Sequence, residues 1–329
     1  MPDRKPILTV EQQIAHLKNK GITFEQISKD DAADYLATKN NFLRVAAYRE
    51  VFFRQSDGDS VGQYLNLDFS YLVDLASIDH RLREVMLPIT LDIEHFAKVK
   101  VLDRITQLTS EDGYSIVSDF IESLAPKYRK GFENDLKYRG SATSSDLYSG
   151  SLIAKYQDDM PAWVLLEAIS FGLFLTFYRF CAQRWDDQQM LDEHYLMKQV
   201  KSVRNACAHN SCIINCFRSG LKSQISTSHS VTTALSKCGV RNSKTRRAKL
   251  DNPIMQQIVA TLYTYKTIVN SEASFDRTIN TLQALKVRIA KNCQYYTKAN
   301  ALMSFLHFTE RVIDIWFPVA QDNGTQKKP

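Results

Sequence analysis

Arg204 and His209 stand five positions apart in the segment Val203-Arg204-Asn205-Ala206-Cys207-Ala208-His209. A guanidinium is always cationic and offers two parallel donors to phosphate oxygens. An imidazole takes up and releases a proton near neutral pH. The pair suits a phosphodiester of RNA, which carries its own nucleophile in the 2′-hydroxyl. Cleavage then requires no metal, only one group that removes that proton and one that protonates the leaving 5′-oxygen. Arg204 would stabilise the charge gathering on the equatorial oxygens of the transition state, and His209 would move protons. Asn205 would orient the phosphate or the imidazole. No other arginine of the chain has a histidine at this spacing.

A structural reading competes with this one. A histidine near the end of a buried helix is usually a satisfied structural residue, and an arginine one turn away often pairs with a carboxylate. Helix geometry adds a constraint: positions five apart lie about 140° round the axis, so Arg204 and His209 of one chain would not face one point. A metal reading is weaker. His209, Cys212 and Cys216 would share a helix face, but they offer only three ligands and no CxxC pair exists. No metal and no cofactor is expected.

The segment is positioned by helices. Helical periodicity and helix punctuation dominate, and no pair of alternating apolar runs joined by a tight turn stands out, so the fold class is all-α. Thr9-Val10-Glu11-Gln12 has the form of a capping box, opening a helix that should stop near Gly21. A second helix starts around Ser28 to Asp31. Asn40 and Asn41 interrupt before a helix over 42–53. Leu72, Leu75, Ile78, Leu82, Val85 and Met86 mark a long helix that Pro88 should break or kink. After the Ser-rich loop 140–151, Asp158-Asp159-Met160-Pro161 resembles the start of a buried helix over 162–178. Another runs from about Gln188 into the Arg204 to His209 segment, and helices resume after Asp251-Asn252-Pro253.

With 329 residues, 44% of them hydrophobic, the chain can bury a sizeable core. No signal peptide can be read at the N-terminus. The apolar stretch 162–178 carries Glu167, which favours a core helix over a membrane span. Six cysteines without a spaced framework read as reduced, cytosolic thiols. The net charge of +6 is local. Positions 218–250 hold no acidic residue and eight basic ones, and the remainder carries 34 basic against 36 acidic residues. Arg218, Lys222, Arg241, Lys244, Arg246 and Arg247 are candidate RNA contacts, because electrostatic affinity for RNA requires only clustered charge. A solubilising linker fits the same stretch equally well.

Four stretches carry a family resemblance. They are Tyr35-Leu36 through Asn41-Phe42-Leu43-Arg44-Val45-Ala46-Ala47-Tyr48-Arg49; Tyr71 through Asp79-His80-Arg81-Leu82-Arg83 to Asp92-Ile93-Glu94; Pro161-Ala162-Trp163 through Ser170-Phe171-Gly172; and Val203-Arg204-Asn205 through Ala208-His209 to Asn215. Their order and spacing, over roughly 9–217, resemble the Abi family of abortive-infection proteins within the HEPN superfamily. The resemblance implies a HEPN-like helical bundle with additional N- and C-terminal helices. It also implies a cytoplasmic endoribonuclease toxin of phage defence, with Arg204 and His209 combined across a C2 homodimer and a structured RNA as possible regulator. Some HEPN domains bind RNA without cutting it, and a helical protein-interaction module is a further alternative. The expected organisation is a core over 1–217, a basic loop or linker over 218–250, C-terminal helices packing on the core over 251–320, and a flexible tail over 321–329.

Overall fold

The structure is a computed structural model that describes residues 4, 6–141, 143, 146–240 and 243–319. The tail expected over 321–329 and the candidate contact Arg241 lie outside the described residues. Fifteen α-helices and no strand occur among the described residues, with isolated bridges at Thr23–Asp68 and Arg54–Tyr64. The fold class is all-α.

Three short helices begin the chain: α1 (Val10–Asn19), α2 (Lys29–Asp34) and α3 (Phe42–Ala47). Their starts are set by side-chain caps. Thr9 and Gln12 form the reciprocal capping box, Ser28 caps α2 and Asn41 caps α3. Gly21, at φ +81, ends the first unit, and any Cβ there would meet the Tyr64 carbonyl oxygen at 2.8 Å. A 3₁₀ turn, Tyr48–Val51, succeeds α3.

The spine is α4 (Phe69–Gln107), 39 residues and about 58 Å long. It runs through Pro88 without a break. Pro88 and Glu84, the residue whose carbonyl loses its helical partner, both lie on the exposed side, where water can take that bond. Met86 and Ile89 on the other side are 1% exposed, and their burial keeps the helix continuous across the missing bond.

Next come the smaller helices α5 (Ser115–Ser123), α6 (Pro126–Arg139) and α7 (Gly150–Tyr156), and then α8 (Ala162–Ala168) and α9 (Phe171–Arg184). The sequence pattern predicts one helix over 162–178; the structure has two. Ile169 is extended and the Ser170 hydroxyl accepts the Leu173 N–H, so a serine cap restarts the helix inside the apolar run. No helix among the described residues is long and apolar enough to cross a membrane.

Helix α10 (Gln188–Ala208) packs against α4, α9 and α13 (Pro253–Ile268), and α14 (Glu272–Ala290) packs on α4, with α15 (Asn300–Trp316) against α13 and α14. Between α10 and α13, where a loop or linker was expected, stand α11 (His229–Lys237) and α12 (Ser243–Leu250). Val231 and Leu235, four apart and buried, give α11 a core-facing stripe that its Ser/Thr-rich composition conceals.

Three buried carboxylates fasten neighbours to the spine. Asp74 accepts from Arg288 at 2.6 Å, from Asn292 at 2.7 Å and from the Tyr296 hydroxyl. Asp79 pairs with Arg83 and accepts from Tyr48. Glu193 of α10 pairs with Lys100 of α4 at 2.6 Å and accepts from the Tyr178 hydroxyl. Burial, reinforced by the adjacent carboxylate, raises all three tyrosine pKa values far above the ordinary range, so each hydroxyl keeps its proton and donates it.

Candidate functional site at the end of α10

The last turn of α10 is closed by a backbone motif rather than by a glycine. Asn210 takes the left-handed conformation at φ +54. Its N–H reaches the Cys207 carbonyl at 3.1 Å, and the Ser211 N–H reaches that of Ala206 at 2.8 Å, the two bonds of a Schellman closure. His209 is therefore the C-cap, and its side chain is exposed. Because the helix ends at Ala208, His209, Cys212 and Cys216 do not share a helix face. Cys212 donates to the Arg44 carbonyl and Cys216 to the Asn215 side chain. No group of three or more His, Cys, Asp or Glu is placed to hold a metal among the described residues.

Arg204 and Asn205 are half-buried one turn earlier. Arg204 Nη1 donates to Asn205 Oδ1 over a long 3.4 Å. No carboxylate pairs with Arg204 among the described residues, so the competing structural reading, an arginine engaged in an ion pair, lacks its partner. By ideal helix geometry, positions five apart lie about 140° round the axis, which sets Arg204 and His209 on different sides of α10.

The turn after His209 is held from below. Asp79 Oδ1 accepts the backbone N–H groups of Ile213 at 3.0 Å and Ile214 at 2.9 Å. Asp79 Oδ2 accepts from Tyr48 at 2.7 Å and from Arg83, and Arg83 also donates to the Ser211 carbonyl at 3.1 Å. Asp79 is 0% exposed and its carboxylate is fully engaged by these donors. Arg83 is raised above its ordinary value by the Asp79 charge, against the opposing effect of its own burial. On the other flank Gly172 gives room to Lys201, whose ammonium lies 2.8 Å from where a Cβ would stand. Three of the four stretches quoted from the sequence thus meet at the end of α10, and the stretch 161–172 touches that helix at Lys201.

Burial pushes the Cys207 thiol up to about 12, and it also raises Cys212 and Cys216. The thiols near His209 stay protonated, which disfavours a cysteine nucleophile here.

The residues matched by the Abi-like protein family model are 35–215, more than half of the chain. The chain belongs to the Abi-like protein family. Membership points to a role in abortive infection, and the matched range ends at Asn215, just beyond the segment that Asp79 anchors. No curated protein and no solved structure gives a match.

The candidate RNA contacts of this Abi-like chain fare differently from one another. Arg218 is paired with Glu50 at 2.8 Å. Arg246 turns inward, donating to the Val240 carbonyl at 3.0 Å and to Ser236. Lys222, Lys244 and Arg247 are at the surface, and Lys244 and Arg247 border a hollow of about 310 Å³ with Asp251. His194 is buried and His80 pairs with Glu84 at 3.4 Å, so both stand apart from the site. Phe171, Phe174 and Phe177 belong to the core, whereas Trp163 is half exposed against Tyr114. Sequence reasoning passed over Tyr195, Lys198, Gln199, His229 and Lys237, which line a groove of about 930 Å³ beside α10. Only the helical stripe from Tyr195 to His209 could have signalled it.

Proposed function

We propose that this protein is a metal-independent endoribonuclease of the HEPN type, acting as an abortive-infection toxin. His209 takes the proton from a ribose 2′-hydroxyl, the 2′-oxygen bonds to phosphorus, and the P–O5′ bond breaks. The leaving 5′-oxygen receives a proton from an imidazolium, and Arg204 holds the equatorial oxygens. The observation that carries this reading is an exposed imidazole, fixed by a rigid turn, one turn from an arginine that no carboxylate among the described residues neutralises.

The divergence of the two side chains supports a shared site, in which Arg204 of one subunit meets His209 of the other across a C2 interface. It equally favours a second reading, in which a single chain binds RNA without cutting it. End-group analysis of RNA incubated with the protein separates them. The proposal expects 2′,3′-cyclic phosphate and 5′-hydroxyl ends, unchanged by chelator. Ends with a 3′-hydroxyl, or activity lost with chelator, overturn the mechanism, and tight binding without any turnover favours the second reading.

A further inference from the structure

The face of α10 that bears His209 continues toward the N-terminus as a wall of the 930 Å³ groove. At about 100° per residue, Tyr195, Lys198, Ser202 and Asn205 all point within about 40° of the His209 direction. The opposite wall is α11, which contributes His229 and Lys237, and Tyr263 of α13 lines the same space. The stripe from Tyr195 to His209 is about 21 Å long, enough for roughly six stacked nucleotides at about 3.4 Å each.

Two features of the lining specify the occupant. Among the described residues, Lys198 and Lys237 are exposed and form no ion pair, and Asp192 is the one carboxylate bordering the groove. Tyr195 presents its ring to solvent at 51% exposure, a stacking platform open to a planar base.

We propose that this groove is the track of a single-stranded RNA whose path of about 21 Å ends at His209. Bases stack on Tyr195, and phosphates lie against Lys198, Lys237 and His229. The proposal rests on the nuclease reading only for what happens at the His209 end; occupancy of the groove does not require cleavage.

The test uses the full chain carrying His209→Ala, so that bound RNA is not turned over, and measures the anisotropy of a fluorescein-labelled six-nucleotide RNA. Tyr195→Ala weakens binding about tenfold. Lys198→Ala with Lys237→Ala lowers the slope of log affinity against log salt by about 1.4. The charge-matched pair Lys127→Ala with Lys130→Ala on α6 leaves both unchanged. Groove variants that bind like this control pair overturn the track, as does adenosine monophosphate binding as tightly as the six-mer. Loss of binding in groove variants of a protein that never cleaves RNA upholds the track and sinks the nuclease reading. Cleavage by the unmodified protein together with unaffected groove variants does the reverse.

Discussion

The carboxylate of Asp79 accepts the backbone N–H of Ile214 at 2.9 Å, joining two residues 135 positions apart. Through this bond and its companion to Ile213, the turn after His209 is referenced to the spine of the bundle rather than to its own helix. Removing one partner of such a buried pair costs more than the pair contributes, because a charge is left without compensation. Asp79→Ala is therefore expected to destabilise the protein by about 3–5 kcal/mol in urea unfolding. The amides of Ile213 and Ile214 should lose hydrogen-exchange protection ahead of α13; protection retained at both contradicts the anchoring role.

His209→Ala should behave oppositely. The side chain is exposed at a helix C-cap, so stability should change by no more than about 0.5 kcal/mol, while RNA cleavage disappears. An equally active variant removes His209 from the chemistry. Mixing Arg204→Ala and His209→Ala chains, each inactive alone, should restore cleavage if the site is shared between subunits.

Asn210 tolerates its left-handed backbone through a short polar side chain, which a β-branched residue lacks. Asn210→Val should cost about 1–2 kcal/mol in thermal unfolding, and Asn210→Gly should cost close to nothing. If the two variants melt together, the Schellman closure is not what fixes His209.

Pro88 offers a gain. In Pro88→Ala an amide N–H becomes available to the Glu84 carbonyl on the exposed side of an already continuous helix. The restored bond, less the lost rigidity of the unfolded chain, should stabilise by about 2 kcal/mol. An unchanged or lower urea midpoint contradicts the account of an unbroken α4.

How far the sequence announced these features depends on the range of each interaction. Thr9, Ser28, Asn41 and Asn252 speak to amides two or three residues away, and their helices could be read directly. Ser170 uses the same chemistry but sits in an apolar run, so the break at Ile169 was hidden. The four-residue spacing of Asp79 and Arg83 suits an ion pair on one helix face. The targets of that pair in Ser211, Ile213 and Ile214 leave no local pattern. The groove beside α10 is equally silent, because its second wall comes from α11, a helix disguised by serine and threonine.

His194 gives the fold a dependence on acid. Burial, with repulsion from Lys198 and Arg179, holds its pKa below the ordinary histidine value of 6.5. The unfolded chain therefore takes up the proton first as pH falls. The contribution to stability is complete above about 6.5 and declines below it. Between about pH 7.5 and 5.5 the urea midpoint of the native protein should fall more steeply than that of His194→Gln. Parallel curves exclude this residue as the source.

Asp74, Asp79 and Lys100 hold three different partners along about 39 Å of α4. These attachments act like keys on one shaft. A slip of a single turn, about 5.4 Å, would unseat all three together and strand their charges in the interior. Neighbouring helices therefore cannot creep along α4 by small increments. Control of this protein would then act at its outer surface, through the filling of a groove or contact with a partner, and leave the interior register untouched.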